Sequence, residues 1–136
     1  MYYPIAIEYG VPNQGYGVVV PDITGCYLMA DTLEEVIAQA KLAIEEHLRC
    51  LMKMNEQIPL ASCVSDHITN GKYKGFVWHE VAINLGEVAG NILKINISLP
   101  SKLVAEIDQA IQGNKKYESR SEFIAESAFL SIMKKM

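Results

Sequence analysis

The sequence predicts an α+β fold in which a small sheet, containing antiparallel strands, packs against one helix and is followed by a separate strand–helix–helix segment. Short stretches with alternating apolar side chains occupy the first 30 residues and recur at 76–83. Between them, residues 33 to about 54 carry apolar side chains at three- and four-residue steps, which is typical of a helix with one buried face. The final third has one strand pattern and then two helical patterns.

The first three strands are predicted from alternation and from the turn residues between them. Tyr3–Tyr9 and Tyr16–Val20 are close enough to form a hairpin across the turn Val11–Gly15, which is rich in turn-forming residues. Pro21–Gly25 then makes a tight connection to a third strand at Cys26–Ala30. These elements predict one small sheet.

One long helix and a fourth strand complete the N-terminal part. Asp31 or Thr32 caps the helix, which should run to about Met54. Its predicted buried stripe consists of Leu33, Val36, Ile37, Ala40, Ile44, Leu48 and Leu51. Periodicity then fails, so 55–75 is predicted as loop with at most a short helical turn. Phe76–Ile83 is the fourth strand, which leaves one helix across a face of the sheet.

A lone strand stands out in the final third, over Leu93–Leu99. Leu93, Ile95, Ile97 and Leu99 alternate with Lys94, Asn96 and Ser98. One face is therefore apolar and the other can form hydrogen bonds. A lone strand leaves its backbone groups unpaired, so a second copy pairing antiparallel about a two-fold axis is the simplest solution. Such a ribbon fits the major groove of DNA. The plainer interpretation is an edge strand with ordinary polar exposure.

Two helices follow this strand. The first runs from about Ser101 to Gln112, after Pro100 and before Gly113. The second begins near Ser119, which fits an N-cap, and Glu122 completes a capping-box pattern. A helix N-terminus favours anions such as phosphate, and Arg120 would strengthen that contact.

Residues 91–136 therefore resemble a ribbon-helix-helix DNA-binding domain. The resemblance is carried by the strand Lys94–Pro100 and by the helix start Ser119–Ile124. It implies that polar strand side chains read bases and that the start of the second helix holds phosphate. The implied base-contacting residues are Lys94, Asn96 and Ser98. The implied phosphate-contacting residues are Ser119, Arg120 and Ser121.

Four N-terminal stretches occur in a recognisable order: Tyr3–Ile5, Gly15–Asp22, Gly25–Cys26 and Asp31–Glu35. In order and spacing they resemble the N-terminal domain of HicB-type antitoxins. The resemblance implies a reduced, RNase H-like fold and a partner of the HicA type, a small basic toxin that cleaves mRNA. Some members end in a ribbon-helix-helix domain. The predicted organisation is a toxin-binding domain over 1–84, a linker over 85–90 and a DNA-binding and dimerisation domain over 91–136.

Charge divides between the two parts. Residues 1–90 contain five Lys and Arg and eleven Asp and Glu, a balance of −6, while residues 91–136 contain seven and five, a balance of +2. The basic C-terminal part suits nucleic acid and the acidic N-terminal part suits a basic partner. No apolar run is long enough to span a membrane, and the first residues do not resemble a signal peptide.

The sequence argues against an active site. A metal-dependent nuclease needs several carboxylates that converge on ions about 4 Å apart. The candidates are Glu8, Asp22, Asp31, Glu35 and Glu80. Turn and cap roles explain three of these, so too few remain. The histidines, His47, His67 and His79, are scattered, and the cysteines, Cys26, Cys50 and Cys63, lack metal-ligand spacing. We predict no catalytic residue, no metal ligand, no cofactor and reduced cytoplasmic thiols.

These observations favour a cytoplasmic antitoxin that also represses transcription. The N-terminal domain is expected to block a HicA-like toxin, and the C-terminal domain to form a homodimer on a palindromic operator of its own operon. Assembly beyond the dimer is left open. The alternative is a ligand-responsive ribbon-helix-helix regulator whose N-terminal domain senses a small molecule or metal.

Overall fold

The chain folds into two compact units. The computed structural model describes residues 1–10, 15–114 and 116–134. One unit is Tyr2–Ile83 and the other is Asn84–Met136 together with Met1. Residues 11–14, which hold most of the predicted Val11–Gly15 turn, lie outside the described residues.

The first unit is built on a four-stranded sheet. Its strands are β1 (Tyr2–Tyr9), β2 (Tyr16–Val19), β3 (Tyr27–Ala30) and β4 (Val77–Ala82). Their order is β3-β2-β1-β4, and every neighbouring pair is antiparallel. Each strand agrees with its predicted position to within a residue at either end, and the α+β fold class is confirmed.

Helix α1 (Leu33–Lys53) covers one face of this sheet. Thr32, one of the two predicted caps, accepts a hydrogen bond from the Glu35 N–H at 3.2 Å. The fully buried stripe is Val36, Ala40, Ile44 and Leu48. It packs on the face formed by Tyr3, Ile5, Ile7 and Val18, which are at most 2% exposed. Burying a side chain of this size contributes about 1.5–3 kcal/mol, so this layer is the main core of the unit.

The segment after α1 is irregular, as predicted, and contains two short 3₁₀ turns at Val64–Asp66 and Gly71–Tyr73. Asn55 adopts the left-handed conformation (φ 55°) where the chain leaves the helix. Ile58 is buried, and the Tyr3 hydroxyl donates to the Pro59 carbonyl at 2.7 Å. These contacts hold the segment against the end of the core.

In its described residues, the second unit contains three helices, α2 (Leu85–Val88), α3 (Ser101–Gly113) and α4 (Arg120–Lys134). Both α2 and α3 contact α4. The predicted linker over 85–90 contains α2, and the division of the chain at this stretch stays a prediction. Asn84 caps α2 through its side chain, and Leu85 and Val88 are buried, so apolar burial makes this stretch part of the second unit.

The predicted strand over Leu93–Leu99 is not formed in the single chain. Residues 91–100 have no regular secondary structure between α2 and α3. A strand is defined by hydrogen bonds to a neighbouring strand, and none of the sheet strands pairs with this segment. The prediction that it pairs with its own copy stays a prediction.

Candidate functional site

The extended segment before α3 exposes its apolar side chains to solvent. Every residue from 91 to 100 is exposed. The exposed fraction falls along the predicted apolar face, from 82% at Leu93 through 70% at Ile95 and 54% at Ile97 to 38% at Leu99. Leaving aliphatic side chains in water forfeits the main driving force of folding. This segment therefore resembles one side of an interface.

An apolar cleft lies next to the end of this segment. It has a volume of about 460 Å³. Its lining residues are Leu99, Leu103, Ile107, Phe123, Ile124, Ser127 and Ala128. They come from the segment, α3 and α4, and Ile107 is the buried residue among them. The helices thus continue the exposed apolar surface of the segment instead of closing over it.

Two of the predicted DNA-contacting residues line a common cleft of about 450 Å³. Ser98 and Arg120 lie at this cleft together with apolar residues of α3 and α4. The other two polar strand residues, Lys94 and Asn96, are exposed. The structure therefore brings one predicted base-contacting residue close to one predicted phosphate-contacting residue.

The start of α4 follows the predicted capping pattern with one change. The Ser119 hydroxyl accepts the Glu122 N–H at 3.1 Å, as an N-cap does. The Glu122 carboxylate, however, accepts from the Glu118 N–H at 3.0 Å and not from Ser119. Tyr117 packs edge-on against Phe123 with ring centroids 5.0 Å apart. Burial, then the nearby Glu126 and Glu122 carboxylates, raise the pKa of Tyr117.

Arg120 is paired within its own chain. Its Nε and Nη2 atoms donate to the two carboxylate oxygens of Asp108 at 2.7 and 2.8 Å, a bidentate geometry. Both side chains are largely exposed, at 61% and 40%. The hydrogen bond from Arg120 lowers the pKa of Asp108, and Asp108 in turn raises the pKa of Arg120. Sequence reasoning missed this pair, because a separation of twelve residues across a loop gives no periodic signal.

A hydrogen-bond chain in the first unit also escaped sequence reasoning. Oδ2 of Asp22 accepts from both the N–H and the hydroxyl of Ser62, each at 3.0 Å. Ser62 Oγ lies 2.7 Å from Nε2 of His67. A carboxylate only accepts, so the serine proton points to Asp22 and the histidine donates to the serine. With the protons arranged this way, no base removes the proton of Ser62, so the serine is not activated as a nucleophile. The hydrogen bonds instead attach residues 62–67 to the β2–β3 turn.

Aromatic rings surround the other side of His67. It stacks on Trp78 with centroids 5.6 Å apart and an interplanar angle of 18°. Tyr73 packs edge-on against both rings, and Phe76 packs against Tyr73. His67 is therefore a packing residue, and its surroundings do not indicate a catalytic or metal-binding role.

The remaining candidates for catalysis are dispersed. Glu8, Asp31, Glu35 and Glu80 are exposed, and Asp22 is half-buried against Ser62. Within the described ranges, no group of three or more His, Cys, Asp or Glu residues could hold a metal ion. Burial raises the pKa of the Cys26 thiol, which makes it a poorer nucleophile. His47 and His79 are exposed on α1 and β4.

Comparison with known proteins identifies the family. The family model of HicB-like antitoxins of bacterial toxin–antitoxin systems matches residues 3–128. The chain belongs to the HicB-like antitoxin family. It is thus an antitoxin of a type II system, with a toxin as its partner. Within the described part of the chain, every helix is too short or too polar to span a lipid bilayer.

Two solved structures and one protein sequence show how far the similarity of this HicB-like chain extends. The crystal structure of Burkholderia pseudomallei antitoxin HicB is 30% identical, with a TM-score of 0.80, over 95% of this chain and 96% of that one. The N-terminal domain of that antitoxin, crystallised alone, is 31% identical, with a TM-score of 0.53, over 61% of this chain and 98% of that one. An uncharacterised 14.9 kDa protein from the rep-hol intergenic region of Haemophilus phage HP1 is 38% identical over 94% of this chain and 95% of its own length.

Proposed function

We propose that this antitoxin neutralises a HicA-like, mRNA-cleaving toxin by direct binding and represses its own operon as a homodimer on a palindromic operator. The proposed organisation is a toxin-binding domain over 1–84 and a DNA-binding and dimerisation domain over 91–136, joined through α2. The observation that carries the DNA-binding half is the exposed apolar row of Leu93–Leu99 beside an apolar cleft.

Dimerisation accounts for this exposure. Two copies of Leu93–Leu99, paired antiparallel about a two-fold axis, satisfy each other's backbone groups and turn both apolar faces onto the helices. A segment with two helices buries too little apolar surface alone. The cleft lined by Leu103 and Phe123 supplies a surface that a second copy can cover.

The same pairing places polar side chains outward. In the proposed ribbon Lys94, Asn96 and Ser98 alternate with the apolar row, so they form the face that enters the major groove. Pairing then turns Ser98 out of the cleft that it lines in the single chain. Asn suits an adenine edge and Lys a guanine edge, while a serine hydroxyl discriminates little. Ser119, Arg120 and Ser121 at the start of α4 hold the phosphate backbone, with phosphate replacing Asp108 as the anion at Arg120.

The N-terminal domain acts by occlusion and not by chemistry. A toxin that cleaves RNA has to attract a polyanion and therefore needs a basic surface. Residues 1–90, with a balance of five basic to eleven acidic residues, complement such a surface and speed association. The domain needs no catalytic residue, metal or cofactor for this role. Because the toxin's mRNA and the operator are both in the cytoplasm, the antitoxin acts there.

A two-part experiment tests the proposal. The full chain and a 1–84 fragment are each mixed with the protein encoded beside this gene, and each is titrated on a duplex of the promoter upstream of it. We expect both forms to stop RNA cleavage and only the full chain to shift the promoter. A full chain that shifts the promoter, fails to inhibit and responds to a small molecule or metal would support the sensor alternative. A folded 1–84 fragment that failed to inhibit the toxin would show that the inhibitory surface lies outside residues 1–84.

A further inference from the structure

We propose that the toxin docks on one corner of the first unit, formed by Glu8, Val19, Tyr27 and Met29 on the sheet face opposite α1. This inference rests on the proposed function and names the surface that carries it. The corner is defined by strand register: Glu8 pairs with Gly17 and Gly17 with Met29, while Val19 pairs with Tyr27. Residues directly opposite in a sheet share a face, so these side chains lie together.

The corner exposes two large apolar side chains of an edge strand. Tyr27 and Met29 are 52% and 57% exposed, two residues apart on β3. Among the described strands β3 ends the sheet and pairs with β2 alone, and it carries neither lysine nor proline to discourage association. By contrast, Val18 on the other face is fully buried beneath α1. An exposed apolar pair on an open edge marks an interaction surface.

Tyr27 lies with its ring over Gly17. A Cβ atom at Gly17 would lie 2.7 Å from the Tyr27 hydroxyl oxygen and 3.3 Å from its ring carbon Cζ. The ring therefore occupies the space over Gly17, which any larger residue would fill. A tyrosine side chain has few rotatable bonds, so it loses little conformational entropy on binding, and tyrosine is enriched among residues that dominate interface energies. Met29 beside it adapts its shape to a partner.

The charge of the corner selects a basic occupant. Glu8 is its ionisable residue besides the tyrosine hydroxyl, and it is exposed. The five basic residues of 1–90 lie elsewhere: Lys41, Arg49 and Lys53 on α1, and Lys72 and Lys74 at the second 3₁₀ turn. A basic RNA-cleaving toxin thus meets a carboxylate and an apolar pair here without like-charge repulsion.

Charge insertion tests this surface. We expect Met29→Lys to weaken toxin binding at least 10-fold, because it places a cation against a basic partner at an apolar centre. Leu42→Lys is the matched control, since Leu42 is 63% exposed on α1 of the same unit, and it should leave binding within 2-fold. Glu8→Lys should slow association about 10-fold at low salt and less at high salt.

Each variant is measured by toxin titration of the full chain, with promoter binding and sedimentation as readouts of folding and assembly. Loss of toxin binding by Met29→Lys with promoter binding retained supports the surface. Unchanged toxin binding by Met29→Lys overturns it, while inhibition by the unmodified chain keeps the proposed function intact. A Met29→Lys chain with a smaller assembly than the unmodified chain also overturns it, because a second copy would then be the occupant. Failure of the unmodified chain to bind toxin removes the proposed function itself.

Discussion

The two units bury their apolar residues in different ways. In Tyr2–Ile83, the sheet and α1 enclose a continuous layer that includes Tyr3, Ile5 and Ile44, all fully buried. Among the described residues of 84–136, the buried hydrophobic ones are Leu85, Val88 and Ile107, while Leu93, Ile95 and Ile97 are more than half exposed. The first unit completes its core within one chain. The second unit leaves apolar side chains exposed that a partner would have to cover.

The largest expected effect breaks the second unit alone. Ile97→Pro removes a backbone donor from the proposed ribbon, so we expect monomers and loss of promoter binding. Sedimentation velocity and promoter titration measure both. Asn91→Pro is the control, because it adds the same residue to the same exposed segment outside Leu93–Leu99. An Ile97→Pro chain that still sediments as a dimer would contradict the claim that the second unit is completed by pairing of Leu93–Leu99 with a second copy.

A core truncation should break the first unit alone. Ile44→Ala removes a fully buried side chain beneath the sheet, and we expect it to lower the free energy of unfolding of this unit by about 2–5 kcal/mol. Urea titration of the 1–84 fragment measures this. Leu42→Ala, on the exposed side of the same helix, should change it by less than about 0.5 kcal/mol. Equal effects of the two substitutions would mean that α1 does not close the core.

Base-reading residues should affect specificity without affecting assembly. Lys94→Ala and Asn96→Ala should each reduce discrimination between promoter and scrambled DNA by about 1–3 kcal/mol, because each removes a contact to a base edge. Competition titrations against both duplexes measure this, with Lys41→Ala on α1 as a control for lost charge. Unchanged promoter preference in both variants would mean that the strand does not read DNA. Ser98→Ala should have a smaller effect.

Arg120 should contribute affinity without specificity. Its replacement by Ala should weaken promoter and scrambled DNA alike and lower the salt slope by about one per dimer arm. Asp108→Asn removes the competing carboxylate, so it should strengthen binding to both duplexes slightly. Weaker binding of Asp108→Asn to both duplexes would instead show that Asp108 positions Arg120 for the phosphate.

The Asp108–Arg120 pair also gives a pH dependence with a definite sign. Because the pKa of Asp108 is lowered in the folded chain, the pair adds stability above the ordinary aspartate pKa of about 4. That contribution is lost as the pH falls through the lowered pKa. Both side chains are exposed, so the effect should be the smallest of those predicted here. Thermal unfolding between pH 2 and 6 should show it in the unmodified chain and not in Asp108→Asn.

The sequence predicted local structure well where neighbouring residues of the same chain determine it. Alternation located the four strands, and the three- and four-residue steps located α1 and its buried stripe. One of the two predicted caps of α1, Thr32, forms the cap, and Ser119 caps α4 without the reciprocal bond of the predicted capping box. Such caps are predictable because they depend on residues three positions away. The helix α2 within the predicted linker 85–90 was not foreseen, because it contacts α4, which lies far along the sequence.

The sites were predicted less completely, for the same physical reason. Asp22, Ser62 and His67 are joined by hydrogen bonds although Asp22 and Ser62 lie 40 residues apart, and no spacing rule connects them. Arg120 was recognised by its place at a helix start, but its partner Asp108 was not. The polar row Lys94, Asn96 and Ser98 was visible in the alternation alone, yet the geometry that we propose for it depends on a second chain.

Hydrogen–deuterium exchange tests the central claim most directly, since it reads backbone pairing in each unit of the same sample. We predict that the alternate amides of residues 93–99 that point to the paired strand exchange slowly at high protein concentration and quickly on dilution below the dimer dissociation constant. The amides of β1 should stay protected throughout, because their partners lie in the same chain. Fast exchange of all amides of residues 93–99 in a sample that sediments as a dimer would contradict the proposed ribbon.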